Sequence, residues 1–316
     1  MEKKTFAYYW ERFGTLSIFT LMILITSFFA PPQFLSTTNL VQIVTQSATT
    51  MLLASGEFFA ILIAGIDLSV GSVLALSGMA TAKIMAVGLH PIFAVLAGSI
   101  GVGALLGAVN GALVNFTRLH PFIITLGTQS IYRGLTLILS NAKPVFGFPQ
   151  SFKTALGGML FGRIPMPVAT ALTVAAVLWF LTSRTVMGRN LYAIGGNRNS
   201  AWYSGIDVKL HTLLVFVISG ICAGLAGAVM MARLGSAESM AGVGHDTFAI
   251  AAAIIGGASF FGGKGKIPNV IVGALIIGLI NNALNMLSIE TYYQQVATGS
   301  LIIGAVALDM VASHRK

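Results

Sequence analysis

The sequence predicts an all-α polytopic membrane protein, a helical bundle of about ten transmembrane helices. Three observations predict it. Of 316 residues 56% are hydrophobic and only 9% are charged, and the mean hydropathy of +0.87 lies far from the balance of a soluble domain. The apolar residues fall in runs of about the 17 to 25 residues that a helix needs to cross a bilayer. The 36 glycines suit helices that pack backbone against backbone in lipid. The formal net charge of +9 collects near the ends of the apolar runs, where it sets topology, so nucleic-acid binding is not expected. A lone cysteine, Cys222, excludes an intramolecular disulfide and a cysteine-based metal site.

Taken in order, the expected helices run near Gly14 to Ala30, Thr38 to Ile63, Leu68 to Val87, Ile92 to Val114 and Pro121 to Leu139. Five more run near Ile164 to Leu181, Thr212 to Ala232, Thr247 to Phe260, Ile267 to Ser288 and Tyr292 to Met310. The run from Thr247 is too short for a full span. The first run follows MEKKTFAYYWERFG as a signal peptide would, yet SFFAPPQ lacks the small residues of a cleavage site, so it reads as an uncleaved helix. The whole of 1–316 is then one transmembrane domain.

Charge orients these spans. Lys3, Lys4, Arg12, Arg118, Lys264, Lys266, Arg315 and Lys316 all fall on one face of the alternation, together with the segment 182–211. That segment carries Arg184, Arg189, Arg198 and Lys209 against one acid, Asp207. A bilayer cannot hide it, since each central Arg or Lys costs about 2.5 to 3.5 kcal/mol, and its basic excess places it in the cytoplasm with both termini. Lys83, Lys143, Lys153, Arg163 and Arg233 run against this pattern. Tyr8, Tyr9, Trp10, Trp179, Tyr292 and Tyr293 stand at span ends, as in an interfacial aromatic belt. Five spans per half, entering from opposite faces, is the arithmetic of an inverted repeat with broken helices around a transport path.

The interval IAGIDLSVGS, Ile63 to Ser72, reads as a helix break. Asp67 or Ser69 can cap the following helix, and Asp67 with Ser69 can also line a path, the default role for an intramembrane ionisable residue. Glu57 has no basic neighbour within a helical turn and belongs in the bundle interior or an aqueous cavity. The run GGASFFGGKGKIP, Gly256 to Pro268, fails as a phosphate loop because Ala258 and Gly265 occupy required positions. It reads instead as a tight turn between a half-helix and the next span. Asn281 and Asn285 share one helix face with Asn282 beside them, suited to interhelical hydrogen bonding or substrate contact. Gly103, Gly107 and Gly111, and Gly220 with Gly224, form small-residue packing steps. The histidines His90, His120, His211, His245 and His314 form no nucleophile or metal-ligand cluster, so no catalytic residue, metal or cofactor is expected.

Four stretches in order carry a resemblance: GIDLSVGS (Gly65 to Ser72), HPFIITLGTQSIYRG (His120 to Gly134), TVMGRNLYAIGGN (Thr185 to Asn197) with SGIDV (Ser204 to Val208), and AIAAAIIGGASFFGGKG (Ala249 to Gly265). Over nearly its whole length the chain resembles the permease subunits of bacterial ATP-driven (ABC) importers of the ribose, xylose and allose type. The resemblance implies a monosaccharide as cargo, a cytoplasmic ATPase subunit, a periplasmic sugar-binding protein, a second permease copy and residence in the lipid of the inner membrane. It also implies that the loop matching Thr185 to Val208 docks on the ATPase. Gly188, Arg189, Asn190, Gly195, Gly196, Asn197, Arg198 and Gly205 are its candidate coupling residues. There Gly195 and Gly196 allow a sharp turn, Asn199 or Ser200 can cap a short helix and Gly205 can end it. The chain departs from the family after GGN, where an acidic, alanine-rich stretch is replaced by Arg198 to Tyr203. It departs again at Gly244 to Ala252, where GHDTFAIAA replaces a GYELDAIAA-like run. An ion-coupled secondary transporter of a small polar solute is the other reading, with Glu57 and Asp67 as its only buried carboxylates. An adjacent ATPase and binding-protein gene discriminate the two.

Overall fold

The computed structural model describes residues 6–29 and 32–290, together with residues 292, 293, 295, 296, 299, 300, 303, 304 and 307. The tenth expected span, Tyr292 to Met310, falls largely outside them, as do Lys3, Lys4, Arg315 and Lys316.

The first two helices are α1 (Phe6–Phe29) and α2 (Thr37–Leu62), and α2 begins where Ser36 accepts a hydrogen bond from the Asn39 N–H. Next comes α3 (Val70–Ala86), only 17 residues long. A continuous helix then runs over Pro91–Thr117: α4 (Pro91–Ala94), a π-helical stretch Val95–Gly101 and α5 (Val102–Thr117). Then α6 (Pro121–Ser140) returns. The starts of α4 and α6 share one sequence device, a His-Pro pair. Proline tolerates the first turn because its missing N–H has no partner there, and His90 and His120 accept from the N–H two residues on, at 3.4 and 3.3 Å.

A short α7 (Gln150–Gly157) and a two-stranded hairpin, β1 (Met159–Leu160) with β2 (Ile164–Pro165), precede α8 (Met166–Arg184). The span expected from Ile164 therefore starts two residues later. The segment 182–211 is not one loop. It contains the end of α8, then α9 (Val186–Gly196), α10 (Arg198–Tyr203) and the first turn of α11 (Val208–Leu234). The chain ends its described core with α12 (His245–Ile255) and α13 (Ile267–Met286).

Among the described residues five helices are long and apolar enough to cross a membrane: Pro91–Thr117, α6, α8, α11 and α13. Shorter apolar helices, Gly14–Phe29, α3 and α12, accompany them, and α2 threads the middle with 17 of its 26 residues buried. The half-length of α12 agrees with the sequence reading.

Backbone contact at glycine holds α11 to α5. A Cβ on Gly103 would collide with the Gly220 carbonyl, one on Gly107 with the Phe216 carbonyl, and one on Gly111 would lie 2.8 Å from the Leu213 Cα. The expected glycine steps thus face each other, and close approach replaces the side-chain burial that lipid does not reward.

Two short helices position the site. The first, α3, starts beside the start of α12: a Cβ on Gly71 would strike the Gly242 carbonyl and lie 3.8 Å from the Asp246 nitrogen. From there they part. The far end of α3 (Met79, Ala82, Met85) packs with Phe148, Phe152, Met231, Ala232 and Ala237 at the end where α11 finishes. The turn that follows α12 reaches the opposite end, where the Gly263 N–H donates to the Leu62 carbonyl at 2.9 Å.

Candidate functional site

The break between α2 and α3 is sewn together by side chains. Asp67 Oδ1 accepts from the Ser69 N–H at 3.1 Å and from its hydroxyl at 2.6 Å, while Oδ2 accepts from the Ser219 hydroxyl of α11 at 2.8 Å. The Ser69 hydroxyl in turn accepts from the Asn110 amide of α5 at 2.8 Å, and Asn110 Oδ1 accepts from the Tyr132 hydroxyl of α6 at 3.0 Å. Thr125 of α6 donates to the Ile66 carbonyl and receives the Leu68 N–H. Asp67, Ser69, Ser219, Asn110 and Tyr132 are all 3% exposed or less, so the bonds hold the break, α5, α6 and α11 together out of water. Ser219 lies eleven residues into α11, about 17 Å along its axis of about 40 Å at 1.5 Å per residue. The break thus sits near the middle of a span.

The sequence left capping and lining open for Asp67 and Ser69. Ser69 occupies the N-cap position of α3, but its side chain makes no capping bond there. Asp67 does this work, by taking up the Ser69 N–H two residues on. Glu57, on the last turns of α2 and fully buried, accepts the Asp67 N–H through Oε1 at 3.0 Å, and its Oε2 has no partner among the described residues.

The break between α11 and α12 is built differently. Gly235, Gly242 and Gly244 carry φ of 73°, 73° and 78°, backbone that a side chain rarely adopts. One arginine ties this break to the other: Arg133 of α6 donates to the Ser239 carbonyl at 2.7 Å and to the Gly71 carbonyl at 3.3 Å. One turn earlier on α6, the Gln129 amide reaches Asp246 at 3.4 Å.

The three asparagines are not brought to this cluster. Asn282 bridges helices, exchanging two bonds with Asn39 of α2 at 2.9 and 3.1 Å. Asn281 is half-buried and Asn285 exposed. The pairing residue lies between them.

The eight residues of 182–211 divide by their surroundings. Gly195 is wedged against the Leu62 carbonyl at the end of α2 and against the Gly263 backbone, leaving no room for a Cβ, whereas nothing lies within 4 Å of one placed on Gly196. Both are helical, so the expected sharp turn falls instead at Asn197, with φ −158° and ψ 106°. Asn197, not Asn199 or Ser200, caps α10 by accepting the Ser200 N–H at 2.9 Å, because its extended backbone aims the side chain at the first turn. Gly205, at φ 84°, ends α10 as expected. Gly188 lies against the Thr182 carbonyl in the tight turn from α8. Asn190 bonds the buried His211 of α11 at 3.1 Å, while Arg189 and Arg198 are exposed. The Tyr192 hydroxyl, whose pKa burial raises, stays protonated and donates to the Gly265 carbonyl at 2.8 Å.

Thus α9 touches two places: Gly195 meets the end of α2, next to the first break, and Gly195 with Tyr192 meets the turn at the far end of α12. A cavity of about 410 Å³ opens at this junction, lined by Gly195, Gly196, Ser259 and Phe261 to Lys264.

Sequence reasoning missed Asn110, Tyr132, Ser219, Gln129 and Arg133. Arg133 had a signal, a cation inside an expected span. Asn110 stood alone in an apolar run. Ser219 and Tyr132 had none, since such residues bond their own helix as readily as a neighbour.

Comparison with known proteins follows the same lines. The family described as branched-chain amino acid transport system, permease component, matches residues 39–306. The chain is 58% identical to the D-allose transport system permease protein AlsC of Escherichia coli, over 99% of this chain and 96% of that one. It is 41% identical to the ribose import permease protein RbsC of Haemophilus influenzae, over 90% and 89%. It is 34% identical to the galactose/methyl galactoside import permease protein MglC of Salmonella typhimurium, over 100% and 99%. No solved structure matches.

Proposed function

Since this chain belongs to the family of transport-system permease components that it matches, we propose that it carries a monosaccharide of the allose or ribose kind. It is the permease subunit of an ABC monosaccharide importer and a multi-pass protein of the bacterial inner membrane. It is not itself an enzyme, for ATP hydrolysis is done by a separate ATPase. A periplasmic sugar-binding protein delivers the sugar.

The path runs past the meeting point of the two breaks, where Asp67 and Ser69 hold the first in place and Arg133 links it to the second. Residues 182–211 are the coupling segment, with α9 and α10 docking on the ATPase. The contact of α9 with the end of α2 and with the turn after α12 is the observation that carries this reading, because a rigid-body shift of one short helix then reaches the first break and the far end of α12 at once. Two such permeases pair, both termini are cytoplasmic, and about ten spans form an inverted five-plus-five repeat. Two short helices, α3 and α12, that start together and lead to opposite ends support that repeat.

Two experiments test this. Labelled D-allose and D-ribose uptake is measured in cells that carry the ATPase and binding protein but lack other importers, and no uptake of either sugar overturns the proposed cargo. A cysteine at position 189 should resist an impermeant reagent applied outside sealed cells, and outside labelling overturns the orientation.

A further inference from the structure

Beside the coupling segment lies a second cavity, of about 620 Å³, formed where the turn from α5 to α6 meets α10 and the start of α11. Its wall carries Arg118, His120, Arg198 and Lys209 and not one acid. Asp207, the nearest acid in sequence to Lys209, has its Oδ1 engaged by the Leu210 N–H at 2.9 Å. The three permanent cations are exposed and lie on three separate parts of the chain. The fold therefore gathers like charges into one concavity, an arrangement that repels itself unless an anion enters.

What surrounds the cavity identifies the anion. Phe116 is 87% exposed and Leu119, Phe122 and Ile123 are exposed beside it, an apolar surface that runs down α5 and α6 from the cavity mouth. On the opposite rim Trp202 and Tyr203 are 63% and 81% exposed, with ring centroids 4.9 Å apart, the residues that favour the bilayer interface. An apolar wall, an aromatic rim and a cationic floor match the successive parts of one phospholipid.

We propose that this cavity binds the headgroup phosphate of an anionic phospholipid, held by Arg118, Arg198 and Lys209, with its acyl chains along Phe116 and Phe122. Cations near an anionic membrane surface each strengthen binding about fivefold, so three together discriminate strongly between anionic and zwitterionic lipid.

The test uses the whole permease without its ATPase, so that docking plays no part. Protein is exchanged into phosphatidylcholine vesicles with or without phosphatidylglycerol, and retained lipid is read by native mass spectrometry alongside the melting temperature. Wild type should retain phosphatidylglycerol and melt higher in its presence. The R118Q/R198Q/K209Q variant should lose retention by about a hundredfold, while K143Q/K153Q/R163Q, with the same net charge, should not. Should the first triple fail to fold, Lys209→Gln alone should lose about fivefold. Retention unchanged in the cavity variants overturns the proposal. So does an equal rise in melting temperature when inorganic phosphate is added to phosphatidylcholine vesicles, because the site then takes a free anion.

Discussion

The two helix breaks do the same geometric job with opposite chemistry. In the first, residues 63–69, the backbone is fixed by side chains: Asp67 holds Ser69 and Ser219, Ser69 holds Asn110, and Glu57 takes the Asp67 N–H, all within 1% exposure or less. In the second, residues 235–244, glycines at positive φ make the turns, Met240 and Val243 stand more than half exposed, and one arginine supplies the link. The difference teaches where rigidity and compliance lie. A buried network in which each donor has a partner resists distortion, since opening it strands groups at about 1 to 3 kcal/mol each. A glycine turn with few side-chain bonds opens locally at far lower cost. On the proposed path the first break is then the fixed side and the second the moving side.

The comparison breaks most sharply at Asp67. Asp67→Leu strands the Ser69 N–H and two hydroxyls, so sugar uptake should fall to background at matched expression. Asp67→Asn keeps the Oδ1 acceptor, and the Ser219 hydroxyl can turn to accept from the new amide, so uptake should stay within about threefold of wild type. An Asn variant as inactive as Leu would mean that the charge, not the hydrogen bonding, is what the break needs, as an ion-coupled carrier requires.

At the compliant break the effects should be smaller. Arg133→Gln removes two bonds from a charged donor, to the Ser239 and Gly71 carbonyls, at about 1.5 to 3 kcal/mol each at most. Uptake should fall about tenfold, and hydrogen exchange in residues 238–244 should accelerate with little change at 66–72. Equal acceleration at both breaks would erase the distinction between them.

The smallest expected effect is Tyr192→Phe, which removes one bond from α9 to the Gly265 carbonyl. Losing about 1 kcal/mol there should lower the ATPase stimulation by two- to fivefold and leave the amount of inserted protein unchanged.

Much of this was legible in the residues. Asp67 and Ser69 in GIDLSVGS announced the first break because acid and hydroxyl among apolar runs have few places to go. The second half-helix showed in its length, and the glycine steps of α5 and α11 met as their spacing implies. The segment 182–211 was legible as polar and basic but not as two helices, because its pattern is short and its cap, Asn197, sits beside the more conspicuous glycines. Asn110 and Ser219 were illegible for a different reason. A single hydroxyl or amide on a long helix becomes meaningful only when another helix brings Asp67 or Ser69 to it. Asn282 shows the same limit, since helical spacing singled out its neighbours and the position of Asn39 decided the matter.

Two adjacent glycines test the central claim, that α9 transmits movement by packing against the end of α2 and the turn after α12. Gly195 has no room for a methyl group between the Leu62 carbonyl and Gly263, while Gly196 has nothing within 4 Å. Gly195→Ala and Gly196→Ala are to be reconstituted with the ATPase and binding protein, checked for equal insertion, and compared for uptake and sugar-stimulated ATP hydrolysis. The account predicts that Gly195→Ala loses both at least tenfold and Gly196→Ala keeps both. Full coupling in Gly195→Ala would contradict it.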